Sequence, residues 1–208
     1  MKLFIVGSSL VDKLGQFDTE WKHTLRCGRV VDFEYYGSSG WSFENFLSEK
    51  GLTKLDRILA KKPDMVLAIL GANSIKTTVD PRTIMHQASR FYQTLNTKFL
   101  AINPKGIIIA SQLPLRFVRG PRNKHNTPDP HTFSKIRNKI NTKIVSLKTK
   151  HHTLAIGGPG RLDQEAWFED GVHFTQEGLA FQLDIILQKL HRILNPDTNK
   201  PRGTRRSR

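Results

Sequence analysis

The sequence predicts an α/β protein, a three-layer sandwich in which helices cover both faces of a parallel β-sheet. Short apolar runs recur along the chain, and longer segments with apolar residues three and four positions apart separate them. Such alternation of strand and helix patterns is typical of a parallel sheet, because the chain reaches each next strand through a helix. With 208 residues, the chain has the length of one domain that can bury a full core.

Five apolar runs predict the strands of this sheet. In chain order they are Lys2–Val6, Val30–Tyr36, Met65–Leu70, Gly106–Ala110 and Thr153–Ile156. The third and fourth runs are almost continuously apolar, as expected of central strands that are buried on both faces. We predict five parallel strands in the flavodoxin-like order 2-1-3-4-5.

Four segments show the apolar spacing of amphipathic helices, namely Phe43–Lys61, Pro81–Leu100, His131–Lys150 and Leu179–Leu194. Gly51 is a candidate interruption of the first segment. Pro81 suits the first turn of the second helix, and Thr175 suits the N-cap of the last. Residues 1–195 are expected to form one domain, and residues 196–208, which lack an apolar anchor, a disordered basic tail.

Composition predicts an intracellular protein, in the cytoplasm or the nucleus. The chain has a single cysteine, Cys27, so an intrachain disulfide is excluded and a reducing compartment is the default. The apolar run Leu3–Val6 is shorter than the ~7–15 residues of a signal-peptide core, so no signal peptide is expected. No stretch approaches the ~18 apolar residues of a membrane span.

The charge is strongly unbalanced, with 33 Lys and Arg against 18 Asp and Glu, a formal net charge of +15. This excess favours polyanionic partners, and nucleic acid is a candidate. The candidate phosphate contacts are Arg116, Arg119, Arg122, Lys124, Lys135, Lys139, Arg202, Arg205 and Arg206. Because these residues show no aromatic interleaving of the kind that stacks single-stranded bases, binding through them would be indifferent to sequence and sensitive to salt. The alternative is an ordinary solvated helix face.

Polar residues follow four of the five predicted strands. Ser9 follows the first, Gly37–Gly40 the second and Gly71–Ser74 the third, and Asp170 and His173 come after the fifth. Carboxyl ends of parallel strands share one edge of the sheet, so we expect these residues to meet there. Together they offer a nucleophile, a base with an orienting carboxylate and N–H donors for a tetrahedral oxyanion, which are the parts of a serine esterase. Ser39 is a second candidate nucleophile.

Four blocks of the sequence resemble those of the SGNH, or GDSL-like, hydrolases in the family's order. They are Gly7-Ser8-Ser9-Leu10, Gly40, Gly71-Ala72-Asn73 and Asp170-Gly171-Val172-His173. The resemblance extends from residue 3 to about residue 194. The opening Val6–Val11 and the basic tail look more like the branch found in mobile genetic elements than like secreted lipases.

The resemblance implies a role for each of these residues. Ser9 would be the nucleophile, His173 the base and Asp170 its orienting partner. The oxyanion hole would consist of the backbone N–H groups of Ser9 and Gly40 and the side-chain amide of Asn73. Two positions depart from the family pattern. Ser8 and Ser74 stand where the family usually has aspartates, although neither position is a primary catalytic one.

The implied function is a serine ester hydrolase that forms an acyl-enzyme with a small-molecule, lipid or carbohydrate ester. No cofactor is implied, and no metal site is expected, because the remaining histidines show no ligand-like grouping. Two alternatives stay open. Acyl transfer to a sugar or other alcohol would use the same residues. An SGNH-like scaffold with weak or no catalysis would act as a basic nucleic-acid-binding module.

Overall fold

A six-stranded sheet forms the middle layer of the protein. The computed structural model describes residues 1–114, 126–147, 152–154, 168–169 and 173–196. The strands are β1 (Lys2–Gly7), β2 (Lys22–Thr24), β3 (Val30–Tyr36), β4 (Met65–Ile69), β5 (Ile107–Ser111) and β6 (His152–Leu154). Their order across the sheet is β2-β3-β1-β4-β5-β6.

The five predicted strands are present, parallel and in the predicted order. The prediction of a sheet with only five strands, all parallel, is nevertheless wrong. Strand β2 pairs antiparallel with the outer edge of β3, with Lys22 opposite Asp32 and Thr24 opposite Val30. The sequence Lys-His-Thr has no apolar alternation, so this strand depends on the partner that β3 supplies rather than on its own pattern.

Helices cover both faces of the sheet. They are α1 (Ser9–Phe17), α2 (Phe43–Leu47), α3 (Glu49–Leu59), α4 (Pro81–Ile102), α5 (Pro130–Val145) and α6 (Gln176–Leu194). Leu3 and Ile5 of β1 pack in one apolar core with α1 and α6. Phe4 and Val6, which point to the opposite face, pack in a second core with α2, α3, α4 and α5. None of the described helices combines the length and the apolarity needed to span a membrane.

The first predicted helix is divided at Ser48 rather than at Gly51. Ser48 ends α2 and begins α3, and its hydroxyl accepts the Gly51 N–H at 3.2 Å. Gly51 lies inside α3, where a Cβ would lie 2.1 Å from the carbonyl oxygen of Asn45. The glycine therefore permits α2 and α3 to pack closely at the bend. Thr175 is the N-cap of α6, as predicted, and its side chain accepts the Gly178 N–H at 3.2 Å.

Candidate active site

A cleft at the carboxyl edge of the sheet contains both Ser9 and His173. Ser9 is the first residue of α1, so its backbone N–H has no acceptor within the helix. His173 lies just before α6. The other described residues that line the cleft are Ser8, Leu10, Lys13, Ile69, Leu70, Ala72, Pro114 and Phe174. The fold thus brings together a hydroxyl at a helix N-terminus, where the helix dipole favours negative charge, and an imidazole.

Contacts between two aromatic residues fix the segment that contains His173. Phe168 and Phe174 form an antiparallel bridge, and their rings stack with centroids 4.4 Å apart. The Glu169 N–H donates to the carbonyl oxygen of His173 at 2.8 Å. These contacts place the imidazole beside the buried Phe174 at the cleft wall. Asp170, the predicted orienting partner, lies outside the described residues.

The two other predicted oxyanion donors lie next to each other. Gly40 belongs to a turn in which the Trp41 N–H donates to the carbonyl oxygen of Ser38 at 3.1 Å. Asn73 belongs to a short 3-10 turn after β4, and its Nδ2 donates to the carbonyl oxygen of Trp41 at 3.1 Å. Ala72 of the same 3-10 turn lines the cleft of Ser9 and His173, whereas Gly40 and Asn73 are not among its described lining residues. Gly40 is exposed, and a Cβ there would have no neighbour within 4 Å.

Contacts with α1 and α3 hold the Gly37–Trp41 loop in place. Lys54 of α3 donates to the carbonyl oxygen of Gly37 at 2.9 Å and to the Ser38 hydroxyl, and its Nζ lies 5.2 Å from the Trp41 ring centroid. On the other side, Asp12 of α1 packs so closely that a Cβ on Gly37 would lie 1.9 Å from Oδ1. Burial raises the pKa of the Asp12 carboxyl, and the charge of Lys54 opposes that shift.

The two serines that depart from the family pattern occupy small, buried positions. The Ser74 hydroxyl accepts the Phe43 N–H at 3.1 Å and so ties the start of α2 to the Asn73 turn. Ser8 is the N-cap residue of α1, and its N–H donates to the carbonyl oxygen of Ile69 at 3.4 Å. Their exposed fractions are 5% and 7%, respectively. A carboxylate at either place would lose its hydration, whereas a hydroxyl is buried at lower cost.

Gly71 shapes the turn that presents Asn73. Its φ of 114° lies in the region that L-residues with a side chain rarely adopt. A Cβ there would also lie 2.3 Å from Cε2 of the buried Phe43 ring. We therefore expect Gly71→Ala to destabilise the protein by about 3 kcal/mol, the sum of backbone strain and overpacking. Urea unfolding followed by far-UV circular dichroism measures this loss.

Gly28→Ala is the matched control for this prediction. Gly28 also has a positive φ, 76°, but a Cβ there would meet nothing within 4 Å. Only the backbone strain should remain, so the expected loss is about 1 kcal/mol. Equal losses in the two variants would show that the Phe43 ring moves aside without cost.

Most of the predicted phosphate contacts lie outside the described residues. Lys135 and Lys139 are exposed on α5, and the remaining seven fall in residues 116–124 and 202–206. Within the described ranges, no group of three or more His, Cys, Asp or Glu side chains is placed to hold a metal ion.

Several residues of the site were not singled out from the sequence. Lys13 and Phe174 line the cleft, and Lys54 holds the Gly37–Trp41 loop. Helical spacing offers a signal for Lys13, because a residue four positions after Ser9 lies on the same face of α1. No local pattern indicates the contact of Lys54, since it joins residues 17 positions apart through the tertiary fold.

Solved structures of esterases share this fold. A family 3 carbohydrate esterase from Talaromyces cellulolyticus is 16% identical and aligns with a TM-score of 0.62 over 94% of this chain and 99% of its own. The carbohydrate acetylesterase Est24 from Sinorhizobium meliloti is 15% identical and aligns with a TM-score of 0.65 over 92% of this chain and 99% of its own. The aryl esterase of M. smegmatis is 15% identical and aligns with a TM-score of 0.64 over 91% of this chain and 97% of its own. No protein-family model and no curated protein sequence matches the chain. The chain therefore shares the fold of these esterases, shown by structural likeness at low identity.

Proposed function

We propose that the protein is a serine ester hydrolase of the SGNH type, with Ser9 as nucleophile and His173 as general base. The observation that supports this most strongly is that Ser9 and His173 line one cleft at the carboxyl edge of the sheet. The Asn73 amide contacts the loop of Gly40, and Ala72, which precedes Asn73, lines the cleft; both observations support these two groups as donors to an oxyanion. Asp170 is proposed as the orienting partner of His173 on the sequence motif alone.

The proposed reaction has two halves. In the first, the imidazole of His173 takes the Ser9 proton while Oγ attacks the ester carbonyl carbon. The resulting oxyanion accepts hydrogen bonds from the Ser9 and Gly40 N–H groups and the Asn73 amide. Its collapse breaks the bond to the alcohol oxygen, which leaves with the proton from His173. In the second half, His173 takes a proton from water as the water oxygen attacks the acyl-Ser9 carbonyl; the bond between the acyl carbon and Ser9 Oγ then breaks, Oγ receives the proton back from His173, and the acid is released.

Labelling with a fluorophosphonate tests this proposal directly, because such reagents phosphonylate a serine that a neighbouring base activates. We expect intact-mass spectrometry to show one adduct on the wild-type protein and none on Ser9→Ala. The labelled peptide should contain Ser9.

Ser39→Ala is the matched control, since Ser39 is exposed on the neighbouring loop and is the second candidate nucleophile. It should label like the wild-type protein. An adduct that survives Ser9→Ala but disappears in Ser39→Ala would reassign the nucleophile. No adduct on folded wild-type protein would contradict the proposed hydrolase and favour a binding function without catalysis.

A further inference from the structure

Lys13 lines the cleft that contains Ser9 and His173. It follows Ser9 by four residues on α1, so the two side chains lie on the same helix face, about 6 Å apart along the axis. Lys13 is half-buried. Its long apolar stem can cover the cleft wall while its ammonium reaches the space in front of Ser9.

The described surroundings of Lys13 are mostly apolar. Apart from His173, no other residue of the described lining is ionisable, and the apolar walls are formed by Leu10, Ile69, Leu70, Ala72, Pro114 and Phe174. An ammonium group against such walls loses part of its hydration and gains from a negative partner.

No described carboxylate supplies that partner. The ion pairs among the described residues join Lys22 to Asp32, Lys61 to Glu34, Lys98 to Asp56, and His23 to Asp18 and Glu20. The adjacent acid, Asp12, does not face Lys13, because neighbouring helix positions diverge. Asp12 is instead packed against Gly37 on another side of the helix.

We infer that Lys13 binds an anionic group, a carboxylate or a phosphate, that the ester substrate itself carries. The inference rests on the proposed hydrolase function and names the class of ester that the cleft accepts. The reach of Lys13 from Ser9 places the negative charge a few bonds from the ester carbonyl, and the apolar walls contact the hydrocarbon between them. Lys13 is thus a specificity-determining residue of the site.

Paired esters test the assignment. One pair places a carboxylate in the acyl half, 4-nitrophenyl hemisuccinate against its neutral methyl ester. The other places it in the alcohol half, 4-acetoxybenzoate against methyl 4-acetoxybenzoate. For at least one pair, we expect Lys13→Met to lower the ratio of kcat/KM for the charged ester to that for the neutral ester by roughly tenfold. The pair that responds identifies the half of the substrate that carries the anion.

Comparing the charged-to-neutral ratio between variants cancels the intrinsic reactivity of each ester. A matched variant controls for the general effect of net charge. Lys105→Met removes one positive charge at the opposite, amino edge of the sheet, just before β5, where Lys105 is exposed. It should leave both ratios unchanged. Equal ratios in the wild-type protein, Lys13→Met and Lys105→Met would overturn the assignment of Lys13.

Binding to Ser9→Ala separates this inference from the proposed function. If the wild-type protein hydrolyses none of the esters, the hydrolase proposal fails. Calorimetric titration of Ser9→Ala with the charged and neutral esters still tests Lys13. Tighter binding of a charged ester that is lost in Ser9→Ala/Lys13→Met supports the assignment, and equal affinities for charged and neutral esters refute it.

Discussion

His173→Ala is expected to lower kcat/KM for a neutral aryl ester by about 10⁴-fold while the protein stays folded. Without the imidazole, the Ser9 hydroxyl has no base to accept its proton, and the departing alcohol has no acid to protonate it. His173 is half-exposed at the cleft, so its removal leaves the two apolar cores intact. Initial rates of 4-nitrophenyl acetate hydrolysis, with circular dichroism to confirm the fold, measure the effect.

The same substitution should change the pH profile. In the wild-type protein, kcat/KM should fall towards acid pH, because a protonated imidazole cannot accept the Ser9 proton. In His173→Ala the residual rate should lack this acid limb. His86→Ala is the control, since His86 is exposed on α4 and belongs to the other helix layer. An acid limb that persists in His173→Ala would assign the base to another group.

Asn73→Ala is expected to lower kcat by about 10²–10³-fold with a smaller change in KM. The Asn73 Nδ2 donates to the carbonyl oxygen of Trp41, which fixes the amide plane beside the Gly40 turn. In the proposed oxyanion hole this amide donates to the oxyanion, whose charge exists only in the transition state. Steady-state kinetics on a neutral ester separate the two parameters.

Asn103→Ala is a matched control for this loss. The Asn103 Nδ2 also donates to a backbone carbonyl oxygen, that of Pro63, and at the same distance of 3.1 Å, but it lies at the end of α4 before β5. Both variants lose an amide–carbonyl hydrogen bond, worth about 1 kcal/mol of stability, and Asn103→Ala also loses the bond that the Lys105 N–H donates to Oδ1 at 3.3 Å. Only Asn73→Ala should lose turnover. Similar kinetic losses in both variants would indicate general loosening of the fold and remove Asn73 from the oxyanion hole.

The sequence predicts the centre of the sheet well because burial alone defines those strands. Val66, Leu67 and Ala68 of β4 are fully buried, and a strand that is buried on both faces has a continuous apolar sequence. The apolar run therefore suffices to predict this central strand. Strand β2 cannot be predicted in this way. Its His23 is fixed by a hydrogen bond between Nε2 and the Asp18 carboxylate at 2.9 Å and by pairing with β3. These are tertiary contacts that a three-residue pattern cannot reveal.

The same distinction applies to the site. The motifs around Ser9 and His173 predict that the two residues approach each other, because each follows or precedes an element whose place in the fold is predictable. The sequence predicts the break in the first helix at Gly51, three residues after its actual place at Ser48, because glycine is the stronger sequence signal for a helix interruption. The physical cause of the break is the Ser48 hydroxyl, which caps α3. The contact of Lys54 with the Gly37–Trp41 loop depends on how α3 packs, which no local pattern contains.

The residues of the proposed site come from both layers of helices. Ser9 begins α1 and His173 precedes α6, and these helices share one apolar core. The Gly40 and Asn73 groups are instead tied to α2 and α3, whose side chains fill the other core. The sheet separates the cores, but the layers meet at two points: the Ser9 N–H of α1 is itself a proposed oxyanion donor, and Asp12 of α1 packs on Gly37 of the Gly40 loop. A packing change around α1 is therefore expected to affect both the proposed nucleophile and the proposed oxyanion donors.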